Sequence, residues 1–320
     1  MEFEANEFQS PDFNSLDVIC FNTTGLPAGI NLPNFNDIKE NYGFKNVSLS
    51  NVLSAPEPRQ KMFFISDSDQ ELLFEFKSTA FKVQVAVHEQ GHGTGKLWMK
   101  NNDETFNFDR SVKNPVTGGD CGFYDVGQSY DSVIGKFSSP MEECRAECIA
   151  LYLSTFDNVL EMFQIPSENL NKVRNAMFLN LCRGASHIYA RWVILSTLMK
   201  AGIASISKSQ NEEGFELSLD FSRLCSDGRK VIGELLLSIH VARCTADREA
   251  GVEIMTSHLP NPEEINELRN KVIEFKRPRP FFVQPKLLMN ELKNVELVNF
   301  EANLEGYIKS IVAKSGFVIL

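Results

Sequence analysis

Five consecutive residues, His88-Glu89-Gln90-Gly91-His92, restrict the fold of this chain more than any other stretch. They form the H-E-x-x-H pattern, in which two imidazoles bind one zinc ion and the glutamate between them works as general base. The residues just before, Phe81, Val83, Val85 and Val87, alternate as in a strand. In an extended chain, however, His88 and His92 would stand ~13 Å apart at ~3.3 Å per residue, too far to share a metal. On a helix the same step rises only ~6 Å and returns to the same face, so both rings can reach one ion at ~2.0–2.1 Å. The motif therefore predicts a helix. Gly91, Gly93 and Gly95 each cost ~1 kcal/mol against alanine in a helix interior, so that helix should stop just past His92, and the glycines allow close approach of backbone.

Because H-E-x-x-H also arises by chance on solvated helices, a third ligand has to decide. Met141-Glu142-Glu143-Cys144-Arg145-Ala146-Glu147 supplies a candidate, with Ser139 as a helix N-cap, Pro140 suited to the first position and Glu142 completing a capping box. Glu143 and Glu147 share one face, so one can bind metal while the other accepts a hydrogen bond from a ligating ring. The same acidic run also suits an ordinary solvated helix start, favoured by the helix dipole. Either motif alone leaves both readings open. His187 and Arg191 lie one turn apart in an apolar helical run ending near Gly202, where a lone histidine also fits a satisfied core position. Gly93-Thr94-Gly95-Lys96 is no phosphate loop, since Gln90 and Leu97 stand where Walker A needs glycine and Ser/Thr. Cys144 and Cys148, one helical turn apart, could touch zinc but read better as small buried apolar residues, and His240 and His258 have no partners in sequence.

A chain of 320 residues with 43% hydrophobic content has enough apolar material for a sizeable core. Its formal net charge of −10 disfavours nucleic acid and anionic membrane as partners, which share that sign. The opening MEFEANEFQS has no apolar run to serve as a secretory signal, and no stretch approaches ~18 apolar residues. With 7 cysteines and no C-x-x-C pair, free thiols in the cytosol are expected. Residues 15–60 hold short apolar runs broken by turn formers and read as short strands and loops. From about Leu72 to Lys276 the apolar spacing is mostly helical, with a polar, Gly-rich interruption from Asn101 to Gly127 too long for an ordinary connector. Arg277-Pro278-Arg279-Pro280 breaks any helix before Phe281-Phe282-Val283-Gln284-Pro285, which reads as a short strand and marks a domain boundary.

His88 to Lys96, followed by Glu142 to Glu147, is similar to the paired signatures of the dipeptidyl peptidase III family, H-E-L-L-G-H-G-S/T-G-K and E-E-C-R-A-E. The second matches in full. Further matches run through Gly25 to Asn34, Gly43 to Leu53, Phe106-Asn107-Phe108-Asp109, His187 to Leu195 and Val283-Gln284-Pro285. The resemblance implies an α+β protein: a mainly helical lobe carrying zinc, a smaller β-containing lobe, and a cleft between them that closes on a peptide. Residues 1–60 would belong to the β-containing lobe with a peptide-binding strand, 61–278 to the helical zinc lobe, and 279–320 would return to the first. It further implies one zinc ion held by His88, His92 and Glu143, Glu89 as general base, and Glu142 and Glu147 holding the ligands. His187 would steady the oxyanion and Arg191 contact substrate. Asn31, Asn34 and the backbone at Ala28 and Gly29 would pair with the peptide, and Arg279 would face its C-terminal end.

Two departures from the family pattern stand out. One residue is absent between the histidines, giving the ordinary zincin spacing, and the interval from Glu143 to His187 is shorter. The family's long N-terminal region, which would anchor a free amine, has no counterpart, and Val116-Thr117-Gly118-Gly119 replaces an acidic E-T-G-E loop, so no Kelch-type partner is expected. The expected protein is a cytoplasmic monomer that releases N-terminal dipeptides from short peptides by metal-activated water attack, without nucleic acid or membrane. The rival readings are an impaired zinc- or peptide-binding remnant and an endopeptidase with relaxed cleavage position.

Overall fold

A computed structural model describes residues 2–4, 12–19, 29–32, 43, 45–55, 59–62, 64–182, 188–208, 215–257, 270, 282–289 and 294–315. The fold is α+β, as expected. The helix predicted from the histidine spacing is α1, Asp67–His92. Its N-cap is Ser66, whose hydroxyl accepts the Asp69 N–H at 3.1 Å, and Asp67 and Asp69 complement the positive end of the dipole. Leu73, Phe76, Ala80, Val83 and Val87 recur at helical spacing and are buried. The strand-like alternation of Phe81 to Val87 arises because α1 is covered on more than one side, by helices and by sheet, so apolar residues appear off the main stripe. The helix closes at Gly93, whose N–H donates to Gln90 O at 3.0 Å.

The second motif lies on α2, Ser138–Ser154, which packs against α1. Its start differs from the expected cap. A 3-10 turn at Gly135–Phe137 leads straight into the helix, Ser139 lies inside the first turn, and the cap position is Phe137 with no side-chain bond. Pro140 is tolerated because first-turn N–H groups have no intrahelical acceptor. Glu142, freed from capping, turns inward.

Three further helices build the core: α3, Leu170–Leu179, against α1; α4, Ile188–Lys200, and α5, Arg229–Cys244, both against α2. Cys144 and Cys148 are fully buried among them, as expected. The run from Leu72 to Lys276 is not helical throughout. An antiparallel hairpin of Ala204–Lys208 with Phe215–Leu219 interrupts it, where Ala204, Ile206, Leu217 and Leu219 alternate at the period of a strand.

The expected strands and loops of residues 15–60 include β1, Asp12–Leu16, β2, Gly29–Leu32, and β3, Lys45–Leu49, in the order β1-β3-β2. β1 runs parallel and β2 antiparallel to β3, so β2 is an edge strand among the described residues. β2 and β3 pack on α1. Residues 282–285 are not a strand as expected; the next strand, Lys286–Met289, begins after Pro285, whose nitrogen cannot donate to a ladder. It pairs with Val295–Val298, and the helix Leu304–Ser315 follows.

The long loop after α1 is irregular. Trp98 is fully buried there, stacked between Phe3 at 4.7 Å and Phe108 at 4.4 Å. The segment Glu2–Glu4 runs alongside: Lys96 N–H donates to Phe3 O at 2.8 Å, Trp98 Nε1 to Glu2 O at 3.2 Å, and Gly95 N–H to Glu4 Oε2 at 2.8 Å.

Candidate metal centre

One turn of α1 separates His88 from His92, and their Nε2 atoms meet at 3.1 Å. Glu143, from α2, brings Oε2 to 3.2 Å from His88 Nε2 and 3.8 Å from His92 Nε2. The helices can approach this closely because of Gly91. A Cβ there would sit 3.2 Å from Ile149 Cδ1 and 3.4 Å from Ala146 Cα, so α1 and α2 cross on the glycine inside the motif.

The far side of each ring identifies the metal-facing nitrogen. His88 Nδ1 lies 3.2 Å from Glu147 Oε2, and His92 Nδ1 lies 3.1 Å from Glu142 Oε1. A carboxylate only accepts, so each Nδ1 carries the proton and each Nε2 offers a lone pair. Two lone pairs and a carboxylate oxygen then converge on the place a cation would take; in its absence a proton on His88 Nε2, facing Glu143, relieves the repulsion. Tetrahedral zinc with bonds of ~2.0–2.1 Å places its ligand atoms about 3.3 Å apart, close to the separations seen. The residues fit a zinc ion. Without a cation, burial opposes a charged His88 ring, yet Glu143 and Glu147 overcome it and push its pKa up to about 10.

Both orienting carboxylates are themselves held. Glu147 is buried and accepts from Gln84 Nε2 at 2.6 Å, and Gln84 Oε1 in turn accepts from Asn180 Nδ2 at 3.1 Å. Arg191, on α4, places Nε 3.9 Å from Glu147 Oε1. Burial alone would raise the Glu147 carboxyl; the His88 contact and nearby Arg191 hold it below the usual range. Glu142 takes two guanidinium groups. Arg145 donates Nη2 to Oε1 at 2.6 Å and Nε to Oε2 at 3.0 Å, while Arg243 Nε stands 3.0 Å from Oε2. Against burial, the charges of Arg145 and Arg243 keep Glu142 well below the usual carboxylate range.

The sequence-predicted site residues thus assemble where they are described. His88, His92, Glu143, Glu142 and Glu147 form one cluster, and Arg191 reaches its edge. Glu89 faces β2: a Cβ on Gly29 would stand 3.1 Å from Glu89 Oε1 and 3.0 Å from Val85 Cγ1. Asn31 lies in β2 opposite Asn46. Ala28, Asn34, His187, Arg279 and His258 lie outside the described residues. Sequence reasoning missed Gln84, Arg145 and Arg243 as partners of the carboxylates. Gln84 stands one turn before His88 and Arg145 sits inside the matched motif, so both were findable; Arg243, on a distant helix, carries no local signal. His240, without a partner in sequence, meets Glu4, with Nε2 3.4 Å from Oε1.

An H-E-x-x-H pair on one helix, completed by a carboxylate from a second, defines a metallopeptidase-type centre. The chain belongs to peptidase family M49, whose family model matches residues 1–315. It is 36% identical to dipeptidyl peptidase 3 of Dictyostelium discoideum, over 98% of this chain and 49% of that protein. It is 35% identical to dipeptidyl peptidase 3 of Homo sapiens, over 96% of this chain and 46% of that one. The chain spans about half the length of the curated relatives it matches. The structure of DPP III from Caldithrix abyssi aligns with a TM-score of 0.53 at 16% identity, covering 79% of this chain and 43% of that one. That of dipeptidyl-peptidase III from Corallococcus sp. strain EGB aligns at 0.55 and 15%, covering 79% and 42%. These two share the fold. Among the described residues, no helix is long and apolar enough to cross a membrane.

Proposed function

We propose that this chain is a zinc-dependent dipeptidyl peptidase, a cytoplasmic monomer that releases N-terminal dipeptides from short peptides. The observation that carries this reading is the convergence of His88, His92 and Glu143 with both Nδ1 atoms on carboxylates. Family membership supports it.

Zinc in this set would polarise a scissile carbonyl and the attacking water. Glu89 would accept the water proton and return it to the leaving amine. Its carboxylate rests against Gly29, so the base and the edge strand β2 share one wall. A peptide can pair along that edge through its main chain, which orients the scissile bond without selecting side chains. Glu142 and Glu147 keep each ligating ring turned with Nε2 forward. Arg191 and Arg279 are assigned to substrate, together with the backbone at Ala28 and Gly29 and the side chains of Asn31 and Asn34. His187 is assigned to the oxyanion.

Metal analysis after dialysis should find about one zinc per chain, lost in a His88→Ala, His92→Ala double variant. Hydrolysis of a dipeptidyl-naphthylamide series should accompany it. A chain without zinc sinks the proposal. Zinc with internal cutting of an N-acetylated octapeptide would mark an endopeptidase, and zinc with no hydrolysis a binding remnant.

A further inference from the structure

Arg243 is tied to the metal centre from outside both motif helices. It lies near the end of α5, is 3% exposed, and brings Nε to 3.0 Å from Glu142 Oε2. The N–H does not point closely enough at that oxygen to make a hydrogen bond, so the contact acts through charge and packing. The side chain is fixed elsewhere. Nη1 reaches Gly95 O at 3.4 Å, the guanidinium stands 5.7 Å from the Tyr130 ring, and its main-chain oxygen accepts the Tyr124 hydroxyl at 2.6 Å.

The other guanidinium on Glu142 belongs to its own helix. Arg145 bridges both carboxylate oxygens and anchors to Gly91 O and Thr94 Oγ1, each at 2.8 Å. Arg145 thus ties the carboxylate to the two motif helices only. Arg243 braces Oε2 from a separate helix, with Oε1 turned to His92 Nδ1 and Arg145 Nη2. Glu147, by contrast, accepts from an amide and has Arg191 Nε at 3.9 Å.

We infer that Arg243 is a positioning residue for the metal centre: acting through Glu142, it locks the His92 ring with Nε2 toward the cation. It touches neither metal nor substrate. The inference rests on the zinc reading above.

The test compares the full chain with Arg243→Met, Arg243→Lys, Glu142→Gln and the Arg243→Met, Glu142→Gln double variant. Zinc affinity is read by chelator competition, the cobalt-substituted protein by its visible absorption, and folding by melting of the metal-stripped chain. Arg243→Met should weaken zinc binding about 10–100-fold, as loss of an outer partner does, and shift the cobalt bands. Arg243→Lys, which keeps the charge, should stay within about threefold of the parent. In the Glu142→Gln background Arg243→Met should add almost nothing, because the route runs through that carboxylate. Unchanged affinity and spectrum in Arg243→Met, with only a lower melting point, would reduce Arg243 to a packing residue and overturn the inference. So would a full additional loss in the double variant. If Arg243→Met does not fold, Arg243→Gln takes its place, and unchanged zinc affinity and cobalt spectrum there overturn the inference. A parent chain that binds no zinc would sink the zinc reading and this inference together. A parent that binds zinc beside an unaffected Arg243→Met variant would sink only the inference.

Discussion

Glu89 and Glu143 carry the same carboxyl group and differ in what surrounds it. Glu143 Oε2 stands 3.2 Å from His88 Nε2, whereas Glu89 Oε1 packs on the backbone at Gly29. Glu89→Gln is therefore expected to retain zinc and lose hydrolysis about 10²–10⁴-fold, since the amide keeps the shape but cannot take a proton. Glu143→Ala should lose the metal itself. Zinc analysis and initial rates on both purified variants separate the roles, and equal zinc loss in both would refute the division. The glycine carries a second prediction. At Gly29 a methyl group would stand 3.0 Å from Val85 Cγ1 and 3.1 Å from Glu89 Oε1. Gly29→Ala should therefore lower kcat several-fold by displacing the base while leaving zinc content unchanged. Helical spacing alone put His88 with His92 and Glu143 with Glu147 on shared faces, whereas Glu142 read as a cap residue and its place beside His92 followed only from the family resemblance. Arg243 was not legible, because its only tie to Glu142 is through space.

At the scale of elements, α1 was legible from two histidines alone, against the strand pattern of Phe81 to Val87. The metal requirement outweighed the alternation, and burial on several sides explains why both signals coexist. The start of α2 was misread because Ser139, Pro140 and Glu142 satisfy a capping box in sequence while tertiary contacts claim the glutamate. The crossing of α1 and α2 at Gly91 gives the next prediction. Alanine there meets the mobile end of Ile149 at 3.2 Å and gains helix propensity, so Gly91→Ala should change stability by less than about 1 kcal/mol. Gly91→Leu must push the helices apart, and zinc affinity should fall at least tenfold. Thermal melts and chelator competition read the two effects, and a Gly91→Leu variant with parental zinc affinity would show that the crossing does not set the site.

Across the whole molecule, the segment Glu2–Glu4 is clasped to the turn that follows the metal helix, and the clasp titrates. Burial opposes a charged His240, but Cys244 and Glu4 push its pKa up to about 9, while Arg145 nearby opposes that rise. The raised histidine stabilises fully below its unfolded value of ~6.5, and the contribution fades as pH climbs through about 9. Glu4, also against burial, is held below its ordinary value by His240 and the Gly95 N–H, so its share fades only in acid. The clasp should be strongest in mildly acidic solution. The melting point of Glu4→Gln should lie about 2 °C under the parent near pH 6 and coincide with it near pH 9.5, a small effect because the pair is partly solvated. A gap that ignores pH would exclude the ion pair as its cause. Nothing in the sequence pairs these two residues, since Glu4 precedes the helical block and His240 lies well inside it.

Among the described residues β2 is an edge strand packed on α1, with Gly29 beside Glu89. Along such a strand, successive residues aim their amide groups alternately at β3 and at the open side. A peptide lying on that side can exchange hydrogen bonds only through every second residue. Single N-methylation, walked along an octapeptide, should therefore suppress cleavage with a period of two: methyl groups aimed at the strand abolish turnover, and those aimed away leave it nearly intact. The side chains carried at those positions should matter far less than the parity of the methyl.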